Sequence, residues 1–146
     1  RQDDKARELT QTGMKDCMHL GAWLLTQNIG LDLIVSSSAL RAEQTAGLIV
    51  ESMKLENTHI LTEDVLYEAS VRQLLQYINN LDDSCTNVLL TGHNPAISYL
   101  AEYLTKADIG DMSPGTIAII RFELASWKEV SENTGQLMKS MNPANQ

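Results

Sequence analysis

The chain has 146 residues, of which 43% are hydrophobic and 21% are charged, and its formal net charge is −8. This composition is typical of a folded protein that can bury a core, and the acidic balance excludes a general nucleic-acid binder, which needs a basic face. No apolar run approaches the roughly 18 residues of a membrane span, so we expect neither nucleic acid nor a membrane as a partner. Cys17 and Cys85 lack metal-ligand spacing and are typical of free thiols, which predicts a cytoplasmic location.

Helical and strand periodicities alternate along the chain. In chain order, the pattern predicts a helix over 9–28, a strand over 31–36, a helix over 40–55, a strand over 58–61, a helix over 71–81, a strand over 86–91, a helix over 96–104 and a strand over 117–122. We expect residues 127–130 to pair with the last strand as an edge hairpin. This alternation predicts an α/β fold, a three-layer sandwich with a mostly parallel sheet and helices on both faces.

The chain contains no repeat, low-complexity stretch or internal linker. Residues 1–146 are therefore expected to form one domain. Residues 133–146 are polar and include Gly135 and Pro143, so we expect a frayed tail there.

Arg41 lies where a predicted strand passes into a predicted helix, directly after three serines, Ser36, Ser37 and Ser38. In open α/β sheets such junctions build ligand sites, and a helix N-terminus favours anions. A guanidinium there suits a phosphate-like group. The alternative is a solvated surface arginine with serines that only cap the helix.

His93 follows a second apolar strand, between Gly92 and the Asn94-Pro95 pair. Gly92 permits a close backbone approach, and a histidine held there can donate a proton or face a phosphoryl group as a cation. The alternative is a turn histidine satisfied by backbone hydrogen bonds. His19 and His59 have no neighbour at ligand spacing, and no zinc or calcium motif is present, so we predict no metal and no cofactor.

These motifs together resemble the histidine phosphatase superfamily, in particular its short SixA-type phosphohistidine phosphatase branch. The matching segments share order and spacing with that branch, and they are Arg7–Gly13, Ser36–Ala46, Leu66–Ala69 and Gly92–Pro95. The resemblance extends from about Arg7 to Phe122. It implies a phosphoglycerate mutase-like fold.

The resemblance also implies chemistry, namely phosphoryl transfer through a phosphohistidine on the enzyme. In the family the nucleophile lies in an Arg-His-Gly or Arg-His-Ala motif that ends the first strand. None of the three histidines here follows an arginine, so we expect that strand and the nucleophile upstream of Arg1. The alternative is a degenerate member without a nucleophile.

By the same resemblance, Arg41 and His93 are catalytic residues of the phosphate pocket, and Arg7, Ser37 and Asn94 bind substrate. The function implied is a metal-independent phosphohistidine phosphatase whose substrate is a phosphohistidine-bearing protein or a small phosphorylated molecule. Only 52 residues separate Arg41 from His93, which leaves no room for the substrate-covering insertions of phosphosugar-specific relatives. The alternatives are a non-catalytic phosphate- or phosphopeptide-binding module and a small-molecule phosphomonoesterase.

Overall fold

The computed structural model describes residues 3–55 and 60–142. The chain divides into two compact units. The first comprises Arg1–Tyr67 and Thr86–Gly92, and the second comprises Glu68–Cys85 and His93–Gln146.

The first unit contains a parallel three-stranded sheet and two long helices. Its elements are helices α1 (Gln11–Leu25) and α2 (Leu40–Ser52) and strands β1 (Leu33–Ser37), β2 (Ile60–Glu63) and β3 (Val88–Thr91). The strand order is β2-β1-β3, with β1 in the centre. Ile34 lies opposite Ile60 on one side and Leu89 on the other.

The core of the first unit lies between the central strand and the two helices. Ile34 and Val35 of β1 are fully buried, as expected of a central strand flanked on both sides. Helix α1 packs closely on α2 because Gly21 brings the α1 backbone against Ile49 and Ser52. The predicted helix 9–28 is shorter in the structure because the Thr10 hydroxyl caps α1 by accepting from the backbone N–H of Gly13.

The second unit combines two helices with an antiparallel pair of strands. Its elements are helices α3 (Val71–Asn79) and α4 (Ala96–Thr105) and strands β4 (Ile117–Phe122) and β5 (Gly135–Met141). A capping box starts α3, in which Ser70 and Gln73 each accept from the other's backbone N–H. A register shift at Ile119/Ile120 interrupts the β4–β5 ladder.

The predicted α/β class with a parallel sheet is confirmed. The prediction that residues 127–130 pair with β4 is wrong, since the partner of β4 is β5 and Trp127–Glu129 form a short 3-10 turn. The turn forms because Asp83 accepts hydrogen bonds from the Ser126 hydroxyl and the Trp127 N–H. Asn79 also donates to the Trp127 carbonyl.

The sequence analysis also expected a frayed tail over residues 133–146. The structure places Gly135–Met141 in strand β5, where it pairs along the whole of β4. This strand lacks a strong apolar pattern, so its cross-strand partners define it. Residues 143–146 and His59 lie outside the described residues.

Candidate functional site

The carboxyl ends of β1 and β3 form one edge of the parallel sheet. Ser36 of β1 lies opposite Thr91 of β3. Helix α2 begins three residues after β1 ends, and Gly92 follows β3. The two strand-to-helix junctions predicted from the sequence therefore follow β1 and β3, which are neighbouring parallel strands.

The serines before Arg41 shape the turn into α2. Ser36 and Ser37 are fully buried. The Ser37 hydroxyl accepts from the backbone N–H of Ala39 at 3.2 Å, and the Ser36 hydroxyl donates to the Ser37 carbonyl at 2.8 Å. Both side chains thus support the turn that orients the first residues of α2.

Arg41 lies in the first turn of α2, and its side chain is only 19% exposed. One terminal guanidinium nitrogen, Nη1, donates to the Asp4 carbonyl at 2.8 Å, and the other, Nη2, donates to Asp4 Oδ2 at 3.2 Å. Both terminal nitrogens of the guanidinium are therefore hydrogen-bonded to Asp4. Such a two-point contact fixes the plane of the group and limits its motion.

Asp4 is the centre of a polar cluster. Its carboxylate also accepts from Arg7 Nη2 at 3.3 Å and from the Tyr67 hydroxyl at 2.7 Å. The Tyr67 hydrogen bond, followed by the positive charge of Arg41, lowers the pKa of Asp4 below its ordinary value. Asp4 therefore remains an anion that holds two guanidinium groups together.

Lys5 extends this cluster. Its ammonium forms a salt bridge with Asp64 at 3.0 Å and lies 5.6 Å from the centre of the Tyr67 ring. The basic cluster, as we call it, has three cations and two carboxylates, and its members are Lys5, Arg7, Arg41, Asp4 and Asp64. It carries a local net charge of +1 in a chain of net charge −8, so it is a place where an anion can be attracted.

Thr91 provides a further polar group at the sheet edge. Its hydroxyl is buried and has no hydrogen-bond partner among the described residues. Leaving such a group unsatisfied costs about 1–3 kcal/mol. The carboxyl end of β3 therefore holds unused hydrogen-bonding capacity next to β1.

In the second unit, His93 and Asn94 directly precede α4. The His93 carbonyl accepts from the Ile97 N–H at 3.0 Å, which ties the histidine backbone to the first turn of the helix. The Asn94 side chain donates to the Met112 carbonyl and accepts from the Ser98 hydroxyl. The structure thus brings Arg7 and Arg41 together in the first unit, whereas their convergence with His93 stays a prediction.

The sequence did not predict the roles of Asp4, which holds both arginines, and of Tyr67, which donates to Asp4. Asp4 lies three residues before Arg7 in a polar segment, and Tyr67 lies inside one of the matching motifs. Neither signal distinguishes a pairing residue from a solvated one. Their roles depend on contacts 37 and 63 residues apart in the chain.

Over residues 3–55 and 60–142, no group of three or more histidine, cysteine, aspartate or glutamate side chains could hold a metal ion. Within the same part of the chain, no helix has the length and apolar character needed to cross a membrane.

Comparison with known proteins identifies related sequences. Residues 1–74 match the profile of the histidine phosphatase superfamily (branch 1). An uncharacterised protein of Mycobacterium tuberculosis is 30% identical over 101 residues, which cover 67% of this chain and 59% of that protein. The phosphohistidine phosphatase SixA of Escherichia coli is 24% identical over 110 residues, which cover 75% of this chain and 68% of that enzyme. The chain thus spans about three-fifths of the length of the mycobacterial relative.

Comparison with solved structures identifies the same fold. A structure of the protein histidine phosphatase SixA complexed with tungstate superposes with a TM-score of 0.82. The match covers 99% of this chain and 90% of that chain at 23% sequence identity. The fold that the SixA-type resemblance implies is therefore confirmed.

Proposed function

Because this chain belongs to the histidine phosphatase superfamily, we propose that it is the phosphate-binding part of a metal-independent phosphohistidine phosphatase. The proposal assigns the phosphate-binding role to Arg41 and Arg7, and the role of proton donor or electrostatic stabiliser to His93. The nucleophilic histidine is placed upstream of Arg1, where the family carries it.

The main observation behind this proposal is that Arg41 and Arg7 both bind the carboxylate of Asp4. Two guanidinium groups and the Tyr67 hydroxyl converge on one carboxylate, that of Asp4. A phosphoryl group carries more negative charge than a carboxylate and offers three oxygens to the same donors. The cluster therefore has the donors and charge that phosphate binding requires.

Further support comes from the path of the chain. Arg41 follows β1 and His93 follows β3, and these strands are parallel neighbours whose carboxyl ends meet at one edge. Residues that follow such ends build the ligand sites of α/β sheets. The strand ends are therefore the basis on which a phosphate-related role is assigned to both Arg41 and His93.

The proposed reaction has two steps. The upstream histidine attacks phosphorus, the P–N bond of the substrate phosphohistidine breaks, and the departing imidazole takes a proton. Water then attacks the enzyme phosphohistidine and releases inorganic phosphate. Arg7 and Arg41 neutralise the charge of the transferring group in both steps, and this neutralisation is the main requirement of phosphoryl transfer.

The substrate class follows from the short connection between the two motifs. His93 lies 52 positions after Arg41, and α2, β2, α3 and β3 take up most of the chain between them. This leaves little chain with which to enclose a small substrate, which favours a phosphohistidine presented by a protein. The named activity of the SixA relative agrees with this class.

The test uses the full gene product and a phosphohistidine-bearing protein, with a chelator present. We expect phosphate release, and we expect His93→Ala to reduce turnover roughly a hundredfold or more, the scale for a positioned acid or stabiliser. His19→Ala is the matched control because His19 is exposed on α1, and it should leave turnover unchanged.

Two outcomes would contradict the proposal. Phosphate binding without turnover by the full gene product would favour the alternative of a phosphopeptide-binding module. Turnover by the 146-residue chain alone, at the same rate after His93→Ala, would show that the nucleophile and the site are misplaced.

A further inference from the structure

Helix α4 carries a polar stripe that holds a non-helical segment of the second unit. We call the set Asn94, Ser98 and Glu102 the α4 stripe; Ser98 and Glu102 lie four residues apart on one side of α4, and Asn94 lies two residues before the helix and is bonded to Ser98. Glu102 Oε2 accepts from the N–H groups of Ile109 and Gly110, at 3.0 and 2.9 Å. The segment that follows α4 thus turns back along the helix that precedes it.

At the other end of the stripe, two side chains satisfy both backbone groups of Met112. The Met112 N–H donates to the Ser98 hydroxyl at 2.9 Å, and the Met112 carbonyl accepts from the Asn94 amide at 2.5 Å. Ser98 in turn donates to the Asn94 side-chain oxygen. Three groups therefore close a ring of hydrogen bonds, and the Ser98 side of it is buried, with 4% exposure.

This ring constrains the residue next to His93. Each member of the ring both donates and accepts, so the loss of one hydrogen bond weakens the others, and at the buried Ser98 hydroxyl it leaves a polar group unsatisfied, while the Asn94 side chain itself is exposed. The Asn94 amide is thereby fixed in rotamer and direction. The peptide that joins Asn94 to His93 is held from the other side by the Ile97 N–H, which binds the His93 carbonyl.

We propose that Ser98 is a positioning residue, which uses the Met112 peptide to lock Asn94 and, through it, the orientation of His93. The role of Asn94 is then to connect His93 to the segment 109–112 rather than to contact substrate first. Only the catalytic importance of this orientation rests on the proposed function, since the hydrogen-bond ring itself can be tested without any reaction.

The experiment uses the 146-residue chain and two nuclear magnetic resonance measurements, amide hydrogen exchange and the titration of the His93 imidazole. In Ser98→Ala we expect the Met112 amide to exchange roughly fivefold faster or more, as expected for the loss of one hydrogen bond. We also expect the midpoint of the His93 titration to shift. Thr105→Ala is the matched control, since Thr105 is a hydroxyl of the same helix that bonds Ala101 and Ala107 instead.

Variants of Glu102 show whether faster amide exchange is confined to the residues that a side chain binds or extends to the whole chain. Glu102→Ala should speed exchange at Ile109 and Gly110, and Glu102→Gln should restore part of the protection because its side-chain oxygen still accepts. If Ser98→Ala does not fold, Asn94→Ala replaces it, with the same two measurements. An unchanged exchange rate of the Met112 amide would show that the hydrogen-bond ring does not form. Faster exchange of that amide with an unchanged His93 titration would contradict the positioning role of Ser98.

Discussion

The contact between α1 and α2 gives a quantitative prediction, and it positions the helix whose first turn carries Arg41 of the basic cluster. A Cβ added at Gly21 would lie 2.4 Å from Ser52 Cβ, 3.1 Å from the Ile49 carbonyl oxygen and 3.3 Å from Ile49 Cα. Carbon atoms in contact ordinarily lie about 3.5–4.0 Å apart. Gly21→Ala must therefore push the helices apart or displace Ser52, and two of the three obstacles are backbone atoms that cannot rotate away.

The free energy of unfolding can be estimated from a comparison with Gly47. A Cβ at Gly47, also inside a helix, meets nothing within 4 Å. Each Gly→Ala substitution gains roughly 1 kcal/mol of helix propensity. Overpacking at Gly21 costs about 1–3 kcal/mol. We expect Gly47→Ala to be about 1 kcal/mol more stable than the unsubstituted chain, and Gly21→Ala to fall about 1–3 kcal/mol below Gly47→Ala.

The assay is urea unfolding of both variants, followed by circular dichroism. The propensity gain is common to both, so their difference isolates the packing term. The double variant Gly21→Ala/Ser52→Gly should recover only part of the loss, because the two Ile49 backbone contacts remain. Equal unfolding free energies for Gly21→Ala and Gly47→Ala would refute the close helix contact.

Two further predictions concern the ligand site and acid stability. Arg41→Ala should weaken tungstate binding to the 146-residue chain at least about tenfold, or about 1.4 kcal/mol, by titration calorimetry. The exposed Arg121, paired with Glu123, provides the control Arg121→Ala, and unchanged affinity in the Arg41 variant would remove Arg41 from the site. Asp32 accepts hydrogen bonds from the Thr86 hydroxyl and N–H and from the Asn87 N–H, the Thr86 hydroxyl being the main cause of its lowered pKa. Its stabilising contribution is therefore complete above the unfolded pKa of about 3.9 and is lost as pH falls through the lower folded pKa. Urea unfolding from pH 3 to 7 should show the stability gap between the chain and Asp32→Asn closing only below about pH 4, and a gap independent of pH would contradict the carboxylate's role.

The elements that the sequence predicted well are those whose pattern is local. The strand at 31–36 and the helix from residue 40 are found within one to three residues because buried apolar runs and helical spacing determine them. Strand β5 was missed, because its burial alternates only weakly and its partner β4 lies 13 residues earlier in the chain. Local pattern cannot show a pairing that tertiary contacts create.

The same distinction applies to the candidate site. Arg41 and His93 stood out because each follows a strand, and strand ends are readable from the sequence. Asp4 and Tyr67 could not be assigned, since an aspartate in a polar segment and a tyrosine after a turn are ordinary surface residues. The substrate-binding role of Asn94 stays a prediction, and the contacts of its amide with Met112 and Ser98, residues 18 and 4 positions away, could not be read from the sequence.

If the basic cluster binds phosphate as proposed, the carboxylate of Asp4 makes that binding an exchange of one anion for another. Any anion that binds the terminal nitrogens of Arg41 must displace Asp4, which is already hydrogen-bonded to them and belongs to the same chain. Because it is attached to the chain, the Asp4 carboxylate competes at an effective concentration far above that of most free solutes. Weakly basic monovalent anions such as chloride or acetate compete poorly with it, whereas a doubly charged tetrahedral oxyanion gains additional charge and acceptors. On the proposed function, Asp4 would favour doubly charged oxyanions over monovalent ones, and before such an anion binds, its single carboxylate offsets one of the two arginine charges and keeps both guanidinium groups aligned.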